Sequence, residues 1–332
     1  MDATTRMQQL VTGFRVSQAI HVAATLGLSD HLAGEPLSVA ELATAADCDE
    51  RTLLRLLRAL ASVEIYHQLP DGRFTNTELS DQLRADNPLG QRAVAVNIGS
   101  PTNWQPWSWL LHSVRTGENA FFAINGCSLW EHRAANPRES ADFDASMAAM
   151  SRRAAPAILA AYDFGQLTKL VDVAGGNGTL LMAILAANPA LSGVLFDQPH
   201  VVAPVGAELD RAGLAQRCAV VSGDMFDQVP TGGDAYLMKA IIHDWADPEA
   251  LTILRNCRSA MGDSGVLLIV ERLLDPNNPV VTFGDLTMLV LPGGLERTVE
   301  EYGELLAGAG FTLTRAIPTS TDWAIIEAVP TA

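Results

Sequence analysis

Hydrophobic positions in this chain follow a helical period in the first part and short strand-like runs in the last. From residue 7 to 33 the apolar residues Met7, Leu10, Val11, Phe14, Ile20 and Leu28 keep helical spacing. A short helix is expected over Ser38 to Ala45. A longer one is expected over Arg51 to Ser62, capped by Asp47-Cys-Asp-Glu. Ile65 to Leu69 and Arg73 to Asn76 flank Pro70-Asp71-Gly72, a turn signal that predicts a small hairpin. Helix, turn, helix and hairpin together describe a winged helix. Residues 101 to 165 are mostly helical and rich in Trp, Phe and Met, a composition whose default role is core. Beyond Lys169, strands are expected at Leu170–Ala174, Val194–Asp197, Ala219–Ser222, Ala235–Lys239, Gly265–Glu271 and Trp323–Val329, with helical patterns between them. That alternation predicts an α/β fold, a doubly wound and mostly parallel Rossmann-like sheet. The expected division is 1–100 as a helical winged-helix-like domain and 101–332 as the α/β domain, with 101–165 as a helical linker.

The segment joining the first two strands carries the clearest chemistry. Gly175, Gly176 and Gly178 break the run ending at Ala174, and Leu180 to Ala187 resumes with helical spacing. The next strand ends at Asp197, at the carboxyl edge where open sheets bind ligands. There an acid about 20 residues past the turn can hold a ribose diol. By itself such a turn can be no more than a tight strand-to-helix connection. A dinucleotide fingerprint needs a third glycine where this chain has Leu181. Asp172, on the strand before the turn, would repel a pyrophosphate and suit an ammonium or sulfonium. The expected ligand is therefore S-adenosylmethionine rather than a nicotinamide dinucleotide.

Composition narrows the remaining classes. The 332 residues suffice for two domains, and 48% hydrophobic with 18% charged residues is ordinary for a globular protein. A net charge of −16 argues against nucleic acid or an anionic membrane as partner. Within the winged helix, Arg51, Arg55 and Arg58 could face phosphates. Acids nevertheless outnumber bases between Ser38 and Arg84, which favours a packing or dimerisation module over a DNA reader. No signal peptide or membrane span is apparent. Cys48, Cys127, Cys218 and Cys257 are scattered, as in a reduced cytoplasmic protein. No run has metal-ligand spacing, so no metal is expected.

Five segments then occur in order: Phe196-Asp-Gln-Pro-His200, Gly223-Asp-Met-Phe226, Leu237-Met-Lys-Ala-Ile-Ile-His-Asp-Trp245, Val270-Glu271 and Pro292-Gly-Gly-Leu-Glu-Arg-Thr298. Over nearly its whole length the chain resembles the plant caffeate/flavonoid-type O-methyltransferases and their bacterial natural-product relatives. The resemblance implies an S-adenosylmethionine-dependent enzyme, a homodimer through the N-terminal domain, and a small aromatic substrate. It implies His243 as general base with Glu271 and Glu296 holding and polarising it. Asp197 would hold the ribose and Asp224 with Met225 the adenine, flanked by Phe226. Lys239 would lie on the far side of the cofactor, with Gly175 and Gly176 in the turn and Ser151 at the methionine moiety. Phe143, Met147, Met150 and Met288 would line the substrate pocket. The chain departs from the family's glycine-rich turn at Ala174, whose methyl is tolerable where φ is negative.

The residues agree at His243. Ala235 to Ile242 has a strand pattern and Asp247-Pro248-Glu249 reads as a helix start with a capping Asp. His243 is thus expected on the ligand-binding edge. Glu271 could instead be a solvated rim acid, and Glu296 could simply pair with Arg297. A free phenol titrates near ~10 and histidine near ~6.5, a gap of roughly 5 kcal/mol that nearby carboxylates would narrow. Three other readings compete: a cofactor-binding hydroxylase or decarboxylase of the same fold, a non-enzymatic winged-helix regulator, and a nicotinamide oxidoreductase. His243 weighs against the first, the acidic charge against the second, and Leu181 with Asp172 against the third.

Overall fold

A computed structural model describes residues 1–331. The chain forms two compact units: Met1–Gln105 with Asn136–Ala149, and Pro106–Ala135 with the chain from Met150 onward. The helix Pro137–Ala161 contributes to both.

In the first unit the long helical pattern is three helices, Ala3–Thr12, Phe14–Thr25 and Leu28–His31. The last break comes at Gly27, whose φ of 64° a side chain would resist. Helix Glu50–Ala61 begins at Asp49, whose carboxylate accepts the Thr52 N–H at 2.8 Å. Leu53, Leu57 and Leu60 lie on its buried face, and Arg51, Arg55 and Arg58 stay exposed. The hairpin β1 (Tyr66–Gln68) and β2 (Phe74–Asn76) closes this core with Tyr66 and Phe74. Helix Ala3–Thr12 buries none of its side chains, and Met7, Leu10, Val11 and the following Phe14 remain exposed on an i, i+3, i+4, i+7 stripe.

The second unit is built on β3 (Lys169–Val173), β4 (Ser192–Asp197), β5 (Cys218–Ser222), β6 (Ala235–Lys239), β7 (Val266–Glu271), β8 (Phe311–Pro318) and β9 (Ala324–Pro330). Their order is β5-β4-β3-β6-β7-β9-β8. The first five run parallel, and β9 is antiparallel to both β7 and β8. Apolar cores cover both faces, one centred on Leu181, Leu195 and Leu237 and the other on Tyr236, Ile253 and Ile269. Because β3, β4, β6 and β7 are buried on both sides, they read as largely apolar runs, whereas the parallel edge strand β5 is exposed beyond Cys218. β8 was not among the expected strands. It is an edge strand whose Thr, Arg and Pro residues are mostly open to solvent, so it has neither strong alternation nor an apolar run. The strand order reverses between β3 and β6, which opens a crevice at the carboxyl edge of the sheet.

Candidate active site

Five parallel strands deliver their following residues to that one edge. After β3, Gly176 turns with φ 62°, and its N–H donates to Asp197 Oδ2 at 2.7 Å. Asp197 Oδ1 accepts the Gln198 N–H at 2.6 Å. Burial raises the Asp197 pKa, and these two amide bonds oppose the rise. A side chain at Gly176 would meet nothing within 4 Å, so the turn leaves open space above its backbone. One at Gly175 would come within 2.5 Å of Asp172 Oδ2. Asp172 is only 2% exposed, and burial with the neighbouring Asp197 pushes its carboxyl up to about 7 against the pull of Lys239. It therefore supports the turn from below, and its full negative charge is not available at neutral pH.

Ala174 overturns the expected backbone: its φ is 54°, in the left-handed region. An L-residue there costs ~1–2 kcal/mol, part of which glycine would give back as chain entropy. Ala174→Gly is expected to stabilise the protein by about 0.5–1 kcal/mol in thermal melts. A lowered Tm would mean that the alanine methyl makes packing contacts stronger than the strain.

Next along the edge, Asp224 follows β5, and its Oδ1 accepts the Phe226 N–H at 2.9 Å. Asn256 donates to the carbonyls of both Met225 and Phe226 at 2.8 Å, which fixes that loop. Phe226 stands edge-on to Trp245 at 4.7 Å, and Trp245 stacks on Trp130 at 5.9 Å. Ala174, Asp197, Gly223 and Met225 line one cleft. Lys239 ends β6 with its ammonium 4.3 Å from the Trp323 ring, which also carries Arg272 at 4.3 Å. Burial lowers the Lys239 pKa to about 8, although Glu271 pulls the other way. Ser151 and Met150 lie on the helix Pro137–Ala161, and Met150 packs against the core. Met288 is half-buried on helix Pro279–Val290 of the same unit, while Phe143 and Met147 belong to the first unit.

His243 sits in a short 3-10 turn, Ile242–Asp244, that follows β6. Its Nδ1 lies 3.0 Å from Glu296 Oε1 and 3.4 Å from Glu271 Oε2. Both carboxylates are on the Nδ1 side, so a neutral imidazole carries its proton there and leaves the Nε2 lone pair free. Asp244 Oδ1 is 3.7 Å from Nε2. Burial alone would depress the imidazolium, but Glu271, Asp244 and Glu296 outweigh it and raise the His243 pKa to about 10. Burial likewise raises Asp244 to about 7 against the attraction of His243.

Glu271 is no solvated rim acid: it is fully buried. Its Oε1 accepts three successive backbone N–H groups, Ile241 and Ile242 at 3.0 Å and His243 at 3.3 Å. Glu296 does not pair with Arg297 either. Its own N–H donates to Asp285 Oδ1 at 2.9 Å, whereas Arg297 pairs with Asp247. The expected Asp cap also shifts, since Ala246 is the N-cap and Asp247 the first helical residue. Side-chain ligand atoms of His243, Glu271 and Glu296 lie within 4.8 Å of one another, a proximity hidden in sequence because the three come from separate segments. A shared Nδ1 proton accounts for the contact between imidazole and carboxylates. Asp244, Trp245 and Arg297 lie within the recognised segments, but nothing in their spacing told what they touch.

Comparison with known proteins agrees with this architecture. Residues 107–312 match the O-methyltransferase domain and residues 8–86 the O-methyltransferase dimerisation domain. The chain is 40% identical to a phenazine O-methyltransferase of Lysobacter antibioticus, over 97% of this chain and 95% of that one. It superposes on the crystal structure of LaPhzM with a TM-score of 0.96, 38% identity, and coverage of 99% and 100%. NcsB1 from neocarzinostatin biosynthesis, solved with S-adenosylmethionine and 2-hydroxy-5-methyl naphthoic acid, matches with a TM-score of 0.83 and 36% identity over 95% of each chain. The turn, the acids at the sheet edge and these matches agree: the chain belongs to the S-adenosylmethionine-dependent O-methyltransferases related to bacterial natural-product enzymes.

Proposed function

We propose that this protein methylates a hydroxyl of a small aromatic secondary metabolite, with His243 as the general base. The observation that carries the reading is the buried imidazole whose Nδ1 faces two carboxylates and whose Nε2 is left to accept a proton. S-adenosylmethionine, when bound, supplies a methyl group activated by a sulfonium. Asp197 takes the ribose hydroxyls, Asp224 the adenine amine, and Met225 with Phe226 the faces of the adenine ring. The Gly175–Gly176 turn gives the backbone close access, and Lys239 and Ser151 bracket the methionine end. Within the second unit, Met150 and Met288 furnish apolar surface for the substrate, suited to flat rings like the phenazine and naphthoate of relatives.

The proton step is nearly balanced. With His243 raised to about 10, transfer from a phenol that titrates near ~10 costs close to nothing, against ~5 kcal/mol for an ordinary histidine. The raised pKa has an opposite consequence for availability. Neutral imidazole is the accepting form, and it is the minor form at pH 7. A cationic cofactor beside the ring favours the neutral form. Turnover is therefore expected to rise with pH from 7 to 9, approaching tenfold per unit while the imidazolium dominates. A flat kcat across that range would remove His243 as the titrating base. The reaction itself is tested by incubating the protein with S-adenosylmethionine and a phenolic library. A product heavier by one methylene supports it, and a gain of one oxygen would mean a hydroxylase.

Leu10, Val11 and Phe14 of the exposed stripe that starts at Met7 lie within the matched dimerisation domain and support a homodimer, residues 1–100 serving assembly and 101–332 catalysis. Four unpaired cysteines fit a reducing cytoplasm, and among the described residues no helix is long and apolar enough to cross a membrane.

A further inference from the structure

The turn that carries His243 is held from two sides by opposite charges. On its amide side lies the Glu271 carboxylate described above. On its carbonyl side lies Arg297, 2% exposed, whose guanidinium donates to Ile242 O at 3.2 Å and Trp245 O at 2.9 Å. The same guanidinium is tied to Asp247 Oδ1 by Nε at 3.2 Å and Nη2 at 2.7 Å. Backbone contacts reinforce the grip. Leu295 N–H donates to His243 O at 2.9 Å, and a Cβ on Gly294 would collide with the His243 carbonyl and the Trp245 amide. Ala240, at the entrance to the turn, has φ 56°, a left-handed conformation that persists only where the surroundings impose it.

From this geometry we infer that Arg297 is a positioning residue for the methyl transfer: it fixes the carbonyls of the His243 turn so that the imidazole meets Glu296 on one side and substrate on the other. The neighbouring Glu296 reaches Nδ1 from the same short segment, so one stretch of chain sets both the ring's orientation and its partner. A lysine could neutralise Asp247 but has no planar fork to serve two carbonyls and a carboxylate together. The inference rests on His243 being the base, and the test keeps the two apart.

The variants are Arg297→Lys, His243→Gln and the double mutant. Arg297→Lys is expected to lower kcat tenfold or more, with KM for S-adenosylmethionine within twofold. The acidic limb of its kcat profile should move to lower pH, because a loosened ring loses part of the Glu296 contact. In the His243→Gln background the same change should have little further effect, since the guanidinium acts through the imidazole. Additive losses, or equal losses in kcat and cofactor affinity, would overturn the inference and make Arg297 a structural support. Full turnover by His243→Gln would instead overturn the base assignment. If Arg297→Lys does not fold, Asp247→Ala loosens the guanidinium from its exposed end. It should give a smaller kcat loss with the same non-additivity, and its absence would count against the clamp.

Discussion

His243→Gln is expected to lower kcat by about 10²–10⁴-fold, the usual span for removing a general base, while calorimetric affinity for S-adenosylhomocysteine stays within about twofold. Glutamine preserves much of the volume and can still donate toward Glu296, so the buried pocket is not emptied. It lacks a nitrogen lone pair able to take the phenol proton. With no acceptor the hydroxyl must ionise to solvent, and the advantage of a matched proton affinity is lost. Asp197 and Asp224 keep their bonds to the Gly176 and Phe226 amides in this variant, because those bonds do not involve the imidazole. Wild-type turnover in the variant would assign the base elsewhere; lost cofactor affinity would make His243 a structural residue.

Glu271 should separate its two duties between two substitutions. Glu271→Ala leaves three backbone N–H groups and the imidazolium without their buried acceptor. Removing one partner of such a cluster costs ~3–5 kcal/mol, a large share of the ~5–15 kcal/mol that holds a domain together. The expected result is a Tm lower by about 10 °C, or insoluble protein. Glu271→Gln keeps an amide oxygen for the Ile241, Ile242 and His243 N–H groups, so it should fold with only a modest loss of Tm. Its NH₂ would then face the Nδ1 proton, donor against donor, and the negative charge that raises His243 would be gone. Turnover should fall at least tenfold, and the pH limb should shift downward because the imidazolium is less favoured. If the glutamine variant melted as low as the alanine variant, the charge itself would be holding the turn. Unchanged turnover would leave Glu271 with a structural duty alone.

The inner parallel strands were legible because they are buried on two faces and read as apolar runs, as in Val194–Phe196 and Leu267–Val270. The edge strand Phe311–Pro318 was not, since solvent covers much of it and its side chains follow no simple alternation. The glycine turn was legible in its glycines, yet the left-handed φ of Ala174 was not, because alanine gives no warning of a conformation that glycine would signal. Asp172 was legible as an acid at the turn; its burial and near-neutral titration were not.

Local order along the chain thus determined the fold class, the cofactor edge and the five segments from which the site is drawn. Periodicity and turn chemistry act over a few residues, and they need no knowledge of what lies across the sheet. Only the tertiary structure decided how the pieces address one another: Glu271 is a clamp on three amides, Arg297 binds Asp247 and two carbonyls instead of Glu296, and Asp247 is not the helix cap. The physical reason is that a buried charge finds its partner by proximity and desolvation. Both depend on side chains brought together from segments far apart in the chain.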